Sequence, residues 1–390
     1  MKKRKKYAKV IGGAVASLAL LFIAYQWMPS EAVPSAQQMN TEGSQKAQAA
    51  GTTSQTDKVL TLDSQIQEYI EEAIHKTNKA YQPETMTVIV TDPNTGEILG
   101  MNTKKQNAND RVPDIVKAKL DPVAAFPIVT LAAAIEEGKY KNYETYESGT
   151  YEITPGKFIK DNNNGIGWGQ ISYLEGIQRS SNVAFAKLSE QIPDDSLQQY
   201  FERFGFGAKT GIEQINEQPG KIPNMNTPYD KAMAAYGLGG SASAIQQVAA
   251  VGAIANGGEL MKPHVTREAR NHIDKGRRVI SEETAKQVRE ILETLVNNKP
   301  GFDTAFSMKE YAVAGRTGIV QKRDQQGNFI DGKYTYSFIG FAPSDDPKLL
   351  VYIAVDNPNT DLWVRLWGKE IVAPPFKEIM ENSLQYLQKR

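Results

Sequence analysis

An α+β domain whose sheet is gathered from both ends of the chain is the fold class the sequence predicts, and three observations carry it. Two short β-patterned runs lie near residue 90, joined by the tight turn Asp92-Pro93-Asn94-Thr95-Gly96. A long, mainly helical stretch follows from Val123 to about Leu295. Three short β-branched or aromatic runs and a closing helix come last.

Taken in order, the first helix is expected over 63–80. Ile66, Ile70, Ala73 and Ile74 share one helical face there, and Asp63 or Ser64 is available as N-cap. Met86 to Val90 and Glu97 to Met101 are the strands of a hairpin. Helices are expected at Ile128 to Glu137, Tyr173 to Gln191, Ser196 to Phe204, Ala242 to Asn256 and Glu282 to Asn297, separated by Gly, Pro and Asn clusters. Tyr311 to Gln321, Thr335 to Phe341 and Lys348 to Val355 are the later strands, and Ile371 to Gln388 is the last helix. No internal repeat interrupts this order.

The composition is that of a folded body, with 40% hydrophobic and 23% charged residues, so disorder throughout is excluded. The 45 basic and 45 acidic residues cancel, which removes any global field toward nucleic acid or a strongly acidic substrate. Cysteine is absent, so disulfides, thiolate nucleophiles and Cys-based zinc sites are excluded. His75, His264 and His272 are far apart or on segments that read as exposed, a pattern for surface histidines and not for a metal site. No cofactor is expected.

Charge is uneven only at the start, where Lys2, Lys3, Arg4, Lys5, Lys6 and Lys9 precede an apolar run from Val10 to Met28. About 20 apolar residues cross a bilayer, and a basic flank stays in the cytoplasm. Residues 1–28 are therefore expected to be a cytoplasmic tail and membrane anchor, with the main domain extracytoplasmic. A cleaved signal peptide is the rival, because Ser30-Glu31-Ala32 has cleavage-like small residues. Residues 29–57, rich in Ala, Gln, Ser, Thr and Gly, are expected to be a disordered tether, and 58–390 the folded domain.

Three motifs then stand in order. Asp121-Pro122-Val123-Ala124-Ala125-Phe126-Pro127 opens a helix. Arg179-Ser180-Ser181-Asn182-Val183-Ala184-Phe185 follows, and Ala314-Gly315-Arg316-Thr317-Gly318-Ile319 lies in a β-patterned run. Lys209-Thr210-Gly211 has the letters of the third motif but follows a helix and a Gly-rich turn, so the strand-borne triplet is assigned to 316–318. With Gly205-Phe206-Gly207, Ala234-Ala235-Tyr236-Gly237, Ala253 to Gly258 and Ser337 to Pro343, these segments resemble the transpeptidase domain of class B penicillin-binding proteins over roughly residues 85 to 385.

The resemblance implies the penicillin-binding-protein and serine β-lactamase-like fold: a five-stranded antiparallel sheet, flanking helices and a helical subdomain. It also implies site positions. Ala124 stands where the nucleophilic serine belongs and Pro127 where the lysine belongs, while Ser180 and Asn182 match the second motif. Arg316, Thr317 and Gly318 form the third, with arginine for lysine, and Ile319 replaces a usual hydroxyl residue. Alanine has no oxygen for acyl transfer and proline no amine to move a proton. The expectation is therefore a pseudoenzyme with no catalytic residue intact.

Ser180, Asn182, Arg316, Thr317 and Ile319 remain candidate substrate-binding positions. The guanidinium suits a carboxylate, and the backbone N–H groups of Ala124 and Ile319 remain as oxyanion-type donors. The rival readings are that Arg316 pairs with a nearby acid and that Ser180 and Asn182 pack a loop. Three functions are carried forward: a scaffold or regulator of cell-wall assembly that contacts cell-wall synthesis proteins, a binder of peptidoglycan stem peptides or β-lactams through Arg316, and a weak D,D-transpeptidase or carboxypeptidase with a relocated nucleophile. No nucleic-acid partner is expected.

Overall fold

The protein is described here as a computed structural model covering residues 60–105, 116, 121–213, 216–267, 276–299, 301–324, 328–360 and 368–390. The expected anchor, the tether and His272 lie outside the described residues. Among the described residues, no helix is long and apolar enough to cross a membrane.

Helix α1 (Ser64–Tyr81) is nucleated by Asp63, whose carboxylate accepts the N–H groups of Gln65 and Ile66 at 2.9 and 3.2 Å. Its apolar face, Ile66, Ile70, Ala73 and Ile74, is buried as the spacing requires. Strands β1 (Thr85–Thr91) and β2 (Ile98–Lys105) form the hairpin, and β1 is buried along almost all its length because helices cover the sheet.

The helical region opens with α2 (Ala125–Glu136), buried from Ala125 to Ala134. A helix apolar on every side belongs in the middle of a bundle, and α2 packs on most of the helices that follow. Strands β3 (Thr145–Glu147), β4 (Thr150–Thr154), β5 (Lys157–Lys160) and β6 (Gln170–Ser172) then make two small ribbons, β3 with β6 and β4 with β5. Helices α3 (Tyr173–Gln178), α4 (Asn182–Gln191), α5 (Ser196–Arg203), α6 (Pro228–Ala235) and α7 (Ala244–Ala255) follow, then the two-residue strands β7 (Glu259–Leu260) and β8 (Arg277–Arg278), and α8 (Glu282–Asn297).

The chain returns to the sheet with β9 (Ala314–Arg323), β10 (Phe329–Ala342) and β11 (Leu349–Asp356), and closes with α9 (Lys369–Gln388). The sheet order is β2-β1-β11-β10-β9, antiparallel throughout, so the first hairpin joins the last strand and β9 is an edge. One apolar core fills the helical region against one sheet face. A second, with Phe306 and Phe338 stacked face to face and Phe376 edge-on to both, lies between the other face and α1 and α9.

The α+β class and the five-stranded antiparallel sheet are as expected, and three local expectations are corrected. The single helix expected at Tyr173 to Gln191 is two, because Ser180 takes φ +57° and ends the first helix, while Ser181 caps the second. The stretch from 123 to 295 is not helical throughout, since it contains β3 to β8. Helix α6 was not expected, although Thr227 caps it and Pro228 sits in its first turn. The surface reading fails for His264, which is buried, with Nδ1 3.2 Å from the Lys262 carbonyl oxygen. His75 is exposed on α1.

Candidate active site

Three segments far apart in sequence meet beside the edge strand β9. The first is the start of α2. Ala124 is its N-cap and offers no side-chain cap, while the Pro122 carbonyl accepts Phe126 N–H at 2.9 Å. Pro127 is the third helical residue, where a missing N–H costs no intrahelical bond. Its ring is buried and does not reach the cleft described below.

Two glycines let this helix start seat. A Cβ on Gly318 would come within 2.7 Å of Val123 Cγ2 and 2.9 Å of Ala124 N. One on Gly237, at φ +101°, would lie 2.4 Å from Val123 Cα. The backbone at 123–124 is therefore held between β9 and the turn after α6, at approaches that only glycine permits.

The second segment is the break between α3 and α4. The Ser181 hydroxyl accepts Ala184 N–H at 3.1 Å and the Tyr146 hydroxyl at 2.7 Å, and donates to Asp161 at 2.7 Å. Asp161 also accepts the backbone N–H groups of Val183 and Gly149. Each buried polar atom of this knot is paired, which locks the turn that presents its neighbour, Ser180. Burial raises the Tyr146 phenol's pKa, so it stays a donor. Asn182 Nδ2 donates to the Lys160 carbonyl at 2.9 Å, and Asn162 Nδ2 to that of Arg179 at 3.2 Å.

The third segment is β9 itself. Thr317 N–H points away from β10 and reaches Asp303 at 3.1 Å. Strand periodicity turns the Ile319 N–H to the same outer side. Arg316 is 5% exposed and its fork is already engaged: Nη1 donates to the Val123 carbonyl at 2.6 Å and Nη2 to Ser180 Oγ at 2.8 Å. Nε has no partner among the described residues, and the guanidinium lies 5.2 Å from the centre of the Phe185 ring. Burial lowers its pKa to about 10, against the pull of Asp303. Neither hydrogen bond of the fork goes to an acid, and a ligand carboxylate must compete with Val123 and Ser180 for it.

These segments enclose a cleft of about 170 Å³, and Ser180, Asn182, Arg316, Thr317 and Ile319 all line it. Ala124 and Gly318 instead pack together behind the lining residue Val123, and Pro127 is buried in the helix start without lining the cleft. Val123, Asn162, Tyr236, Leu238 and Phe302 complete the lining, and sequence reasoning gave them no role in the site. Asn162 belongs to a run, Asp161-Asn162-Asn163-Asn164-Gly165, whose turn chemistry was visible but whose target was not. Lys209-Thr210-Gly211 lies outside regular structure and away from the cleft, as expected.

This architecture, a helix start packed on an edge strand with a serine turn closing the third side, is the fold of penicillin-binding transpeptidase domains. A solved transpeptidase (TP) domain of Burkholderia pseudomallei penicillin-binding protein 3 superposes with a TM-score of 0.75 at 24% identity, covering 87% of this chain and 98% of that one. The penicillin binding protein transpeptidase domain model matches residues 86–381, and the chain belongs to that family.

Curated relatives include Stage V sporulation protein D of Bacillus subtilis, 36% identical over 355 residues (85% of this chain, 54% of the relative). Another is the probable peptidoglycan D,D-transpeptidase PenA of Neisseria meningitidis, 28% identical over 346 residues (85% of this chain, 57% of the relative). The chain spans a little over half the length of these relatives.

These matches overturn the expectation that the chain is not an enzyme. It belongs to a transpeptidase family, and a relative aligned over 85% of it bears the name of a peptidoglycan D,D-transpeptidase. Residue 124 is nonetheless an alanine, contributing a backbone N–H and no hydroxyl. The hydroxyl that Arg316 contacts in the cleft belongs to Ser180.

Proposed function

We propose that this cleft takes the D-alanyl-D-alanine end of a peptidoglycan stem peptide, and that the chain serves cell-wall assembly from the outer face of a membrane to which residues 10–28 anchor it. The observation that carries the reading is the seating of Ala124 on Gly318, which sets a helix-start N–H beside the strand edge that bears Ile319 N–H. Two such donors suit a peptide carbonyl, and a backbone donor is independent of its side chain. Arg316, Ser180 and Asn182 supply the polar wall, while Tyr236, Leu238 and Phe302 supply apolar contact. Proteins of cell-wall synthesis are the natural macromolecular partners of such a site.

Titration of the full chain with an N-acetylated D-Ala-D-Ala peptide tests this. Binding tighter than millimolar, weakened in Arg316→Ala, supports the reading, and no binding up to that range removes it.

A second reading, covalent turnover, is favoured by the 2.8 Å contact between Arg316 Nη2 and Ser180 Oγ, since an adjacent cation stabilises a developing alkoxide. Any acyl group must then sit on an oxygen other than at residue 124, and Ser180 is the candidate. Labelling with a fluorescent penicillin, denaturing electrophoresis and peptide mapping should give a band that Ser180→Ala abolishes. An unlabelled chain, or a label mapped elsewhere, rules Ser180 out.

A further inference from the structure

Behind the cleft floor lies a buried carboxylate that none of the expected site positions includes. Asp303 is 1% exposed, follows the cleft residue Phe302, and has its own N–H bonded to the Leu295 carbonyl at 3.0 Å. It accepts both the N–H and the hydroxyl of Thr317. Arg316 is the preceding residue, and its Nη1 also approaches the Thr317 carbonyl at 3.4 Å. A buried acid and a buried base thus lie on either side of Thr317, each gripping that residue or its neighbours.

Lys369, the first residue of α9, donates to the Phe302 carbonyl and sets a second positive charge beside Asp303, with a pull on it larger than that of Arg316. Burial raises the pKa of Asp303 above the usual carboxylate value, against its bonds to Thr317 and the nearby Lys369 and Arg316, and the two Thr317 donors, one on each carboxylate oxygen, fit the ionised form. A buried cation without a counter-charge is costly, and a counter-charge this near also screens it from anything entering the cleft.

We propose that Asp303 is the specificity-determining residue of the cleft: it acts through Arg316 as its buried counter-charge and limits how strongly the site prefers a ligand that ends in a carboxylate. The inference rests on the stem-peptide reading and deepens it, because it says how the cleft discriminates a free acid from a capped end. Removing the negative charge while keeping the hydrogen-bond acceptor should leave Arg316 uncompensated. Asp303→Asn does this: the amide oxygen can still accept Thr317 N–H, and the Thr317 hydroxyl can turn to accept from the new amide N–H.

The test is isothermal titration of the full chain with N-acetyl-D-Ala-D-Ala and with its C-terminal amide, on the native protein, Asp303→Asn, Arg316→Gln and the double variant. Asp303→Asn should bind the acid roughly tenfold more tightly and the amide unchanged, the scale of one unit charge several ångströms away in a partly dry site. Arg316→Gln should reverse the preference toward the amide, and the double variant should bind both alike.

A merely structural role for Asp303 predicts the opposite sign, with weaker binding of both ligands. A folded Asp303→Asn, judged by near-UV dichroism, that binds the acid no better than the native protein overturns the inference and leaves the stem-peptide reading standing. Should that variant not fold, equal binding of acid and amide by Arg316→Gln overturns it. Binding of neither peptide by any of the proteins defeats both.

Discussion

Lys209-Thr210-Gly211 and Arg316-Thr317-Gly318 have the same order of chemical types, a cation, a threonine and a glycine, yet they meet opposite physical demands. In the first, the backbone is the working part: Glu217 accepts Thr210 N–H at 2.8 Å and Gly211 N–H at 3.0 Å, and Lys209 is exposed. In the second, the side chains are the working part. Arg316 binds across to α2 and to the serine turn, Thr317 reaches Asp303, and the bare Cα of Gly318 admits Val123 and Ala124. The two glycines differ likewise. Gly211 is required by its φ of +77° and meets nothing nearer than Lys262 Cε at 3.4 Å, whereas Gly318 is required by crowding alone. A motif is thus specified by what its neighbours ask of each residue, and a matching order of chemical types carries no function by itself.

Substitution of the two glycines is the largest test of that contrast. Gly318→Ala should cost about 3 kcal/mol by overpacking and abolish peptide binding. Gly211→Ala should cost only ~1 kcal/mol of backbone strain and leave binding intact. Urea denaturation and peptide titration of both variants check this, and equal losses would break the contrast. Next in size is Glu217→Gln. It keeps one acceptor oxygen for two backbone donors in a buried site, so a loss of about 1–2 kcal/mol is expected by urea denaturation, without effect on the cleft.

The far end of β9 provides a smaller test. Lys322, with Lys333 and Asn357, pulls the pKa of Glu84 down from 4.5 to about 2. A depressed carboxylate contributes stability above its unfolded pKa that is lost as pH falls through the folded value, so the contribution should fade between about pH 4.5 and 2. The group is partly exposed and screened, so Glu84→Gln should lower stability by no more than ~1 kcal/mol at neutral pH. Melting curves of the two proteins should converge near pH 2. Smallest of all, Lys209→Ala should change stability by less than ~0.5 kcal/mol and leave peptide affinity unchanged, in contrast to Arg316→Ala.

The sheet was legible because β1, β10 and β11 are nearly continuous apolar or β-branched runs, and α1 because its cap and its apolar face agree. The ribbons β3 to β6 were not. Thr145 to Thr154 alternates threonine, tyrosine and glutamate with little buried surface, so its pairing is set by neighbours and not by an apolar stripe. The motif positions Ser180, Asn182, Arg316, Thr317 and Ile319 could be read from the resemblance to the family's motifs, and they do meet in one cleft. Asp303 could not, because an aspartate in a Gly-Phe-Asp-Thr turn looks like any loop acid until the fold buries it beneath Thr317. The engagement of Arg316 was equally hidden, since the carbonyl that occupies it belongs to a residue almost two hundred positions away.

The sheet order has a consequence for how the cleft comes into being. Thr85 pairs with Asp356, so the first hairpin has no inner partner until β11 has been made, and β9 has no sheet to edge until β10 is in place. Loop closure on this scale is slow compared with helix formation. During synthesis, then, the helical body can collapse early, while the nascent chain holds an unpaired hairpin for almost the whole of its translation. A ribosome that stalls before residue 314 would release a chain with a formed helical body and no binding site, presenting an open strand edge to whatever chaperone or protease reaches it first.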